Sequence, residues 1–347
     1  GLVDVCMKLI DAGADINAEN NNGDTPLICA CDKGLADVCM KLIDAGADIN
    51  AKSNNGSTPF IRACEKGLAD VCMKLIDAGA DINAKSSNGS TPLIWACDKG
   101  LADVCMKLID AGADINAKNS NGSPPLIWAC AKGHVDVCMR LIDAGADINA
   151  KHSNGDTPLI YACERGLADV CMKLIDAGAD INAKDSSGST PLIWACWEGH
   201  VDVGMKLIDA GADINAKDRS GYTPLIWACD KGLADVCMKL IDAGADINAK
   251  NNSGSTPLIF ACDKGLADVC MKLIDAGADI NAKSNNGSTP FIRACEKGLA
   301  DVCMKLIDAG ADINAKNSNG YTPLIYACAK GLADVCMKLI DAGADIN

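Results

Sequence analysis

The sequence predicts an all-α solenoid of paired antiparallel helices with projecting β-turn or hairpin loops. Three observations carry this. A Thr-Pro pair, Pro124-Pro125 in one copy, recurs every 33 residues from Thr25-Pro26 and Thr58-Pro59 to Thr322-Pro323, with no insertion or deletion. The string GLADVCMKLIDAGADIN returns in the same register, as at Gly34, Gly67 and Gly331. Polar, Gly-containing turns separate the apolar stretches. A fixed period of roughly 20–50 residues marks a stacked-repeat protein. The 347 residues hold ten and a half copies. We read residues 1–347 as one continuous array with half-repeats at both ends, since each unit of such a stack contacts only its neighbours. Repeats are numbered one to ten by their Thr-Pro pair.

Each element follows from its residues, with Lys85 to Ala117 of repeat three as the specimen. Thr91 suits a helix N-cap and Pro92 the first helical position, where a missing N–H costs nothing. The first helix is expected over 92–98, broken by Lys99-Gly100. A second is expected over 101–110, with Leu101, Val104, Cys105, Leu108 and Ile109 at helical spacing and Asp103 and Lys107 opposite. Ala111-Gly112 ends it, and Asn119-Ser120-Asn121-Gly122 is a turn. Two such helices bury their apolar face only against neighbouring copies. At about 8–10 Å per packed helix, ten units would give a rod on the order of 100 Å long.

Net charge is -14 with a pI near 4.6. Nucleic-acid binders carry a basic stripe instead, and acidic charge disfavours anionic membranes. The longest apolar runs, such as Pro92 to Cys97, fall far short of the roughly 20 residues that span a bilayer. No nucleic-acid partner and no membrane insertion are expected.

The 21 cysteines follow the period. Ten share the slot of Cys31 and Cys64, ten the slot of Cys6 and Cys39, and Cys29 is extra. Both slots lie on apolar helix sides, so these read as small buried hydrophobes. Zinc favours close pairs such as C-x2-C, and none occurs. No metal and no cofactor are expected, and reduced thiols in this number fit a reducing, cytoplasmic compartment.

With these residues in hand, the chain resembles the ankyrin-repeat family. Thr91-Pro92-Leu93-Ile94-Trp95-Ala96 matches the family's T-P-L-H-x-A, and Gly112 to Ala117 matches its Gly-Ala-Asp-Ile-Asn-Ala. Two departures stand out. The family His is Ile in every repeat (Ile28, Ile61, Ile94), which removes the hydrogen bonding it supplies. Repeat four has Pro124 where Thr should cap. The chain also begins at a second helix and stops within a turn segment without the polar caps that solenoids need, so it reads as a piece of a longer protein or one lacking its ends.

No catalytic group is expected. His134 and His200 share a slot two repeats apart, and His152 sits on a turn; all three read as surface or capping residues. The repeating Asp and Gly residues read as solvated structure and turns.

What varies between repeats is the better guide to function. Differences concentrate at the turn tips (Asp218-Arg219-Ser220), at the slot before Thr (Tyr222, Tyr321), at the pair before the linker Gly (Trp197-Glu198), and three after Pro (Cys29, Arg62, Trp95, Trp128, Tyr161, Trp194, Trp227, Phe260, Arg293, Tyr326). In the family, the first-helix side and turn tips form the concave binding face. The resemblance therefore makes Trp194, Trp197, Arg219, Tyr222, Trp227, Tyr161 and Tyr321 the candidate partner-binding residues, and Trp, Tyr and Arg are enriched at interface hot spots. Loss of Trp197 should cost binding with little stability; the competing reading is that Trp197 folds over the gap left by Gly204 in the same repeat. Once per second helix comes a Met (Met7, Met40, Met73), read as lateral packing.

The expected function is a non-enzymatic scaffold presenting its concave face to a protein partner. One alternative is a structural, spring-like or self-assembling array, favoured by Lys52–Lys85 recurring residue for residue at Lys283–Lys316. Another is the ankyrin segment of a larger effector or channel.

Overall fold

The computed structural model describes residues 2–346. They form 21 helices and, among the described residues, no strand. Contacts divide the chain into two units, Gly1–Asp180 with repeats one to five and Ile181–Asn347 with repeats six to ten. Within each, every repeat is a short helical hairpin that packs on its neighbours.

The first helix of repeat three is Pro92–Lys99 and the second Ala102–Asp110. Lys99 stays helical because Gly100 takes the break itself, with φ 68°. Leu101 stands outside the second helix as a cap residue with no side-chain bond. Thr91 caps as expected: its Oγ1 accepts from the Ile94 N–H at 3.3 Å.

The core draws on the same slots from repeat to repeat, although Ile325 and Cys328 of repeat ten are exposed and Gly204 replaces the second-helix Cys in repeat six. Leu93, Ile94, Ala96 and Cys97 come from the first helix and Val104, Cys105 and Leu108 from the second, all buried. Ile94, in the position of the family His, adds apolar area to this core.

The repeating polar residues bind one repeat to the next. Asp114 Oδ1 accepts from the Asn116 N–H at 3.0 Å, and the Asp114 N–H donates to Asn83 Oδ1 of the preceding repeat at 2.9 Å. The same inter-repeat bond recurs from Asn50 to Asp81 and from Asn281 to Asp312. At the turns, the Ser87 N–H donates to the Asn55 carbonyl at 2.8 Å. Gly287 shows why turns need glycine: φ is +75°, and a Cβ would meet the Lys316 carbonyl at 3.1 Å. Second-helix cations pair with the preceding Asp, as in Lys107–Asp77 and Lys173–Asp143. The hydrogen bond from Lys74 holds the Asp44 carboxyl below its ordinary pKa.

Nine repeats bring their two core cysteines together across the helical hairpin, with Sγ–Sγ distances of 3.5–3.7 Å. Repeat six is the exception, because Gly204 stands opposite Cys196. Burial pushes the thiols of Cys64, Cys97 and Cys163 well up, which keeps them protonated and unreactive. Cys29 is exposed, and partial burial and the charges of Asp24 and Asp32 raise its pKa as well. In the native first unit, iodoacetamide is therefore expected to modify Cys29 ahead of Cys31 to Cys171, slowly at pH 7 and faster as pH rises. Peptide mapping that finds core thiols alkylated at the same rate would contradict this packing.

Two local defects are equally concrete. Pro124 occupies an N-cap with no side-chain bond, and the Ser123 hydroxyl beside it is buried without a partner. Gly204 lies buried within helix Val201–Asp209, and a Cβ there would make ordinary contacts of 3.7–3.8 Å with Val236. Pro124→Thr and Gly204→Ala should each raise stability, by up to about 1 kcal/mol, through a restored cap and a better helix former. Denaturant midpoints at or below that of the unaltered protein would refute the corresponding assignment.

Candidate functional site

The first-helix slot three after Pro points its side chain out of the core, toward the turn that precedes the same helix. In repeats six and seven that side chain is an indole. Each indole is pinned by a carboxylate from its own turn: Trp194 Nε1 donates to Asp185 Oδ2 at 2.9 Å and Trp227 Nε1 to Asp218 Oδ2 at 3.0 Å. The same carboxylates also organise the turns, since Asp185 Oδ1 accepts from the Ser187 and Ser189 N–H groups and Asp218 Oδ1 from those of Ser220 and Tyr222.

Between the two pinned indoles stands Trp197. Its ring is stacked on Trp194 at 4.9 Å (6° between planes) and on Trp227 at 5.0 Å (2°). Tyr222 stacks on the other side of Trp227 at 4.2 Å and leans on Phe260 at 5.8 Å. The result is a ladder of five rings, each half-buried. Lys231 reaches over Trp227, 5.9 Å from the ring centre. Burial raises the Tyr222 hydroxyl pKa, so the phenol stays neutral.

Of the seven residues singled out in the sequence, four (Trp194, Trp197, Tyr222 and Trp227) thus belong to one ladder. Arg219 is exposed at the adjoining turn tip, where its N–H donates to the Ser187 carbonyl at 2.9 Å and its carbonyl accepts from Asn252 Nδ2 at 3.0 Å. Tyr161 lies in the first unit, edge-on to His152 at 6.4 Å, with burial and Asp156 pushing its hydroxyl up to about 12. Tyr321 is 44% exposed and tilts against Tyr326 at 5.2 Å within repeat ten. Trp197 does not serve Gly204: the ring's two faces lie on Trp194 and Trp227, and Val236 closes the space beside Gly204.

Three members of the site lie outside the seven candidates: Phe260 stands in the variable slot after Pro, Asp218 stands at a variable turn tip, and nothing in the repeat pattern by itself singles out Asp185. The signal for the carboxylates was present: nine residues before Trp194 and Trp227 stands Asp, whereas the same slot holds Ser86 before Trp95 and Asn119 before Trp128.

His134 and His200 stand at second-helix N-caps without a side-chain cap bond, and His134 Nε2 lies 3.4 Å from the Asp98 carbonyl. Among the described residues no three His, Cys, Asp or Glu converge as a metal-holding group. No helix among them is long and apolar enough to cross a membrane.

A search of curated proteins found no match. A family model described as ankyrin repeats (3 copies) matches residues 1–86, 70–152, 140–218, 205–284 and 272–347. That coverage, on a structure of capped helical hairpins joined by glycine turns, leaves one assignment: the chain belongs to the ankyrin-repeat family.

Proposed function

We propose that the protein is a non-enzymatic scaffold that binds a protein partner on the face carrying the ring ladder of repeats six to eight. Ankyrin repeats are generally protein–protein interaction modules. The observation that supports this particular place is the pre-stacking of Trp194, Trp197, Trp227 and Tyr222. Rings fixed before binding lose little further freedom on association, and such aromatics are the usual energetic centre of an interface. The net charge of -14 favours a neutral or cationic partner surface at low salt. Arg219, Tyr161 and Tyr321 are proposed as peripheral contacts. The many core thiols support a reducing, cytoplasmic setting.

The test is quantitative enrichment from a reducing extract, followed by a measured Kd for the purified partner. Trp197→Ala and Tyr222→Ser should weaken binding by the folded fraction at least about tenfold, as hot-spot truncations do. Val236→Ala, at a residue buried in the second helix of repeat seven, should lower stability and leave binding by the folded fraction intact. Unchanged affinity in both aromatic variants would move the site elsewhere. A second reading, a self-assembling array, draws on the identity of Lys52–Lys85 with Lys283–Lys316; concentration-dependent growth in light scattering without any partner would favour it.

A further inference from the structure

Repeats three and four carry the same two indole walls as repeats six and seven, but the space between them is open. Trp95 and Trp128 stand one repeat apart in the slot of Trp194 and Trp227. The lysine one turn on lies 5.9 Å from each ring centre, Lys99 for Trp95 and Lys231 for Trp227. In the second unit, rings of the chain itself occupy the gaps between walls: Trp197 between Trp194 and Trp227, and Tyr222 between Trp227 and Phe260. The counterparts of those two fillers in repeat three are Asp98 and Ser90. Both line a cleft of about 120 Å³ together with Trp95 and Trp128. The chain thus supplies its own template for what this cleft accepts, a flat group lying parallel to the indoles.

Chemistry narrows the flat group further. The Asp98 side chain is only 9% exposed, and its oxygens lie 2.9 Å from Lys99 Nζ and 3.4 Å from Lys132 Nζ. An aromatic ring pushed into the cleft would strip water from this carboxylate and offer it nothing. A carboxylate would be repelled by it. A guanidinium is planar, stacks on aromatic faces, and presents a fork of donors that matches a carboxylate, whereas an ammonium is a point charge that leaves a planar gap unfilled. The two lysines are largely solvated, at 41% and 47% side-chain exposure, so an incoming guanidinium can displace them. The indoles are also incomplete here. Trp95 Nε1 and Trp128 Nε1 are buried without an acceptor, where Trp194 and Trp227 have Asp185 and Asp218.

We infer that the Trp95–Trp128 cleft receives an arginine side chain of the bound protein, stacked between the two indoles and paired with Asp98. This rests on the protein-binding reading above and adds a second, chemically selective contact in the first unit.

The experiment uses the whole chain with its five tryptophans replaced biosynthetically by 5-fluorotryptophan, each ¹⁹F signal assigned by a single Trp→Phe variant. The probe is the capped peptide Gly-Ser-Arg-Ser-Gly, beside analogues with Lys, Phe or Glu in place of Arg. The arginine peptide should shift the Trp95 and Trp128 signals saturably and leave that of Trp197 in place. Asp98→Asn should weaken binding about tenfold or more, through loss of the charge-assisted fork. Asp98→Trp should close the cleft as Trp197 closes its own and abolish the shifts; helical circular dichroism confirms its fold, and Asp98→Asn stands on its own if that variant misfolds. Lys99→Met and Lys132→Met should tighten binding severalfold by removing competitors for Asp98. Weaker binding in the lysine variants, equal response to the Phe or Glu peptide, or no saturable shift would overturn the inference. These signals come from a defined peptide on the first unit, so they stand or fall separately from the effect of Trp197→Ala and Tyr222→Ser on a protein partner.

Discussion

Phe291→Ala is expected to be the most damaging single truncation in the second unit, costing about 3–5 kcal/mol in a urea or thermal unfolding measurement. The ring is 1% exposed and is among the largest side chains wholly inside the protein. It replaces the Leu of the neighbouring repeats and sits directly after Pro290 in a helix that packs on the first helices of repeats eight and ten. No side chain nearby is free to collapse into the space, because Ile292, Ala294 and Cys295 are all buried and fixed by the same helix. Stability in a repeat array is local to neighbours. Amide exchange should therefore accelerate over repeats eight to ten more than over repeats six and seven. A loss below about 1 kcal/mol would be too small for a Phe cavity and would mean that the core around Phe291 is looser than described.

Trp197→Ala is expected to cost stability as well as binding. On the sequence alone, loss of Trp197 is expected to cost binding with little stability, or to uncover the gap left by Gly204. In the structure, the ring makes two stacked contacts, at 4.9 and 5.0 Å. Each such pair contributes about 0.5–1.5 kcal/mol beyond area burial, so a loss of about 1–3 kcal/mol is expected. The near-ultraviolet circular dichroism of the coupled indoles should fall with it. Trp197→Phe, which keeps a ring in the gap, should recover much of both. Unchanged stability and an unchanged near-ultraviolet spectrum in Trp197→Ala would show that the rings do not stack in solution.

How much of this could be read beforehand depends on the range of each interaction. The caps were legible because Thr91, Pro92 and Gly100 act within a few residues of one another. The core was legible because Leu93, Cys97, Val104 and Leu108 follow helical spacing. The thiol pairs were not, since Cys97 and Cys105 meet only after the chain reverses between two helices. The ladder was half legible: its rings stood out as departures from the repeat, but their order depends on how far one helix rises from the next. Trp197 therefore touches Trp227 of the next repeat as closely as it touches Trp194 of its own. The indole partners Asp185 and Asp218 were hidden because a single carboxylate there does two jobs, and the turn alone is enough to explain an Asp.

The asparagine-to-aspartate bonds between repeats carry a consequence for how such a chain changes length. Each junction is closed by the same pair, an Asn Oδ1 from one unit and an Asp N–H from the next, as in Asn50 to Asp81 and Asn281 to Asp312. The plug and the socket are identical in every copy. A recombination event that deletes or duplicates one 33-residue segment restores the same bond at the new joint and leaves no mismatched surface. Unequal crossing-over between near-identical stretches such as Lys52–Lys85 and Lys283–Lys316 thus yields longer or shorter proteins that remain well formed. The exception is the run from Asp185 to Phe260, whose rings interlock across three units and whose excision would cut through a stack. Gain or loss of a copy elsewhere leaves the ladder whole, whereas a break within that stretch separates stacked rings.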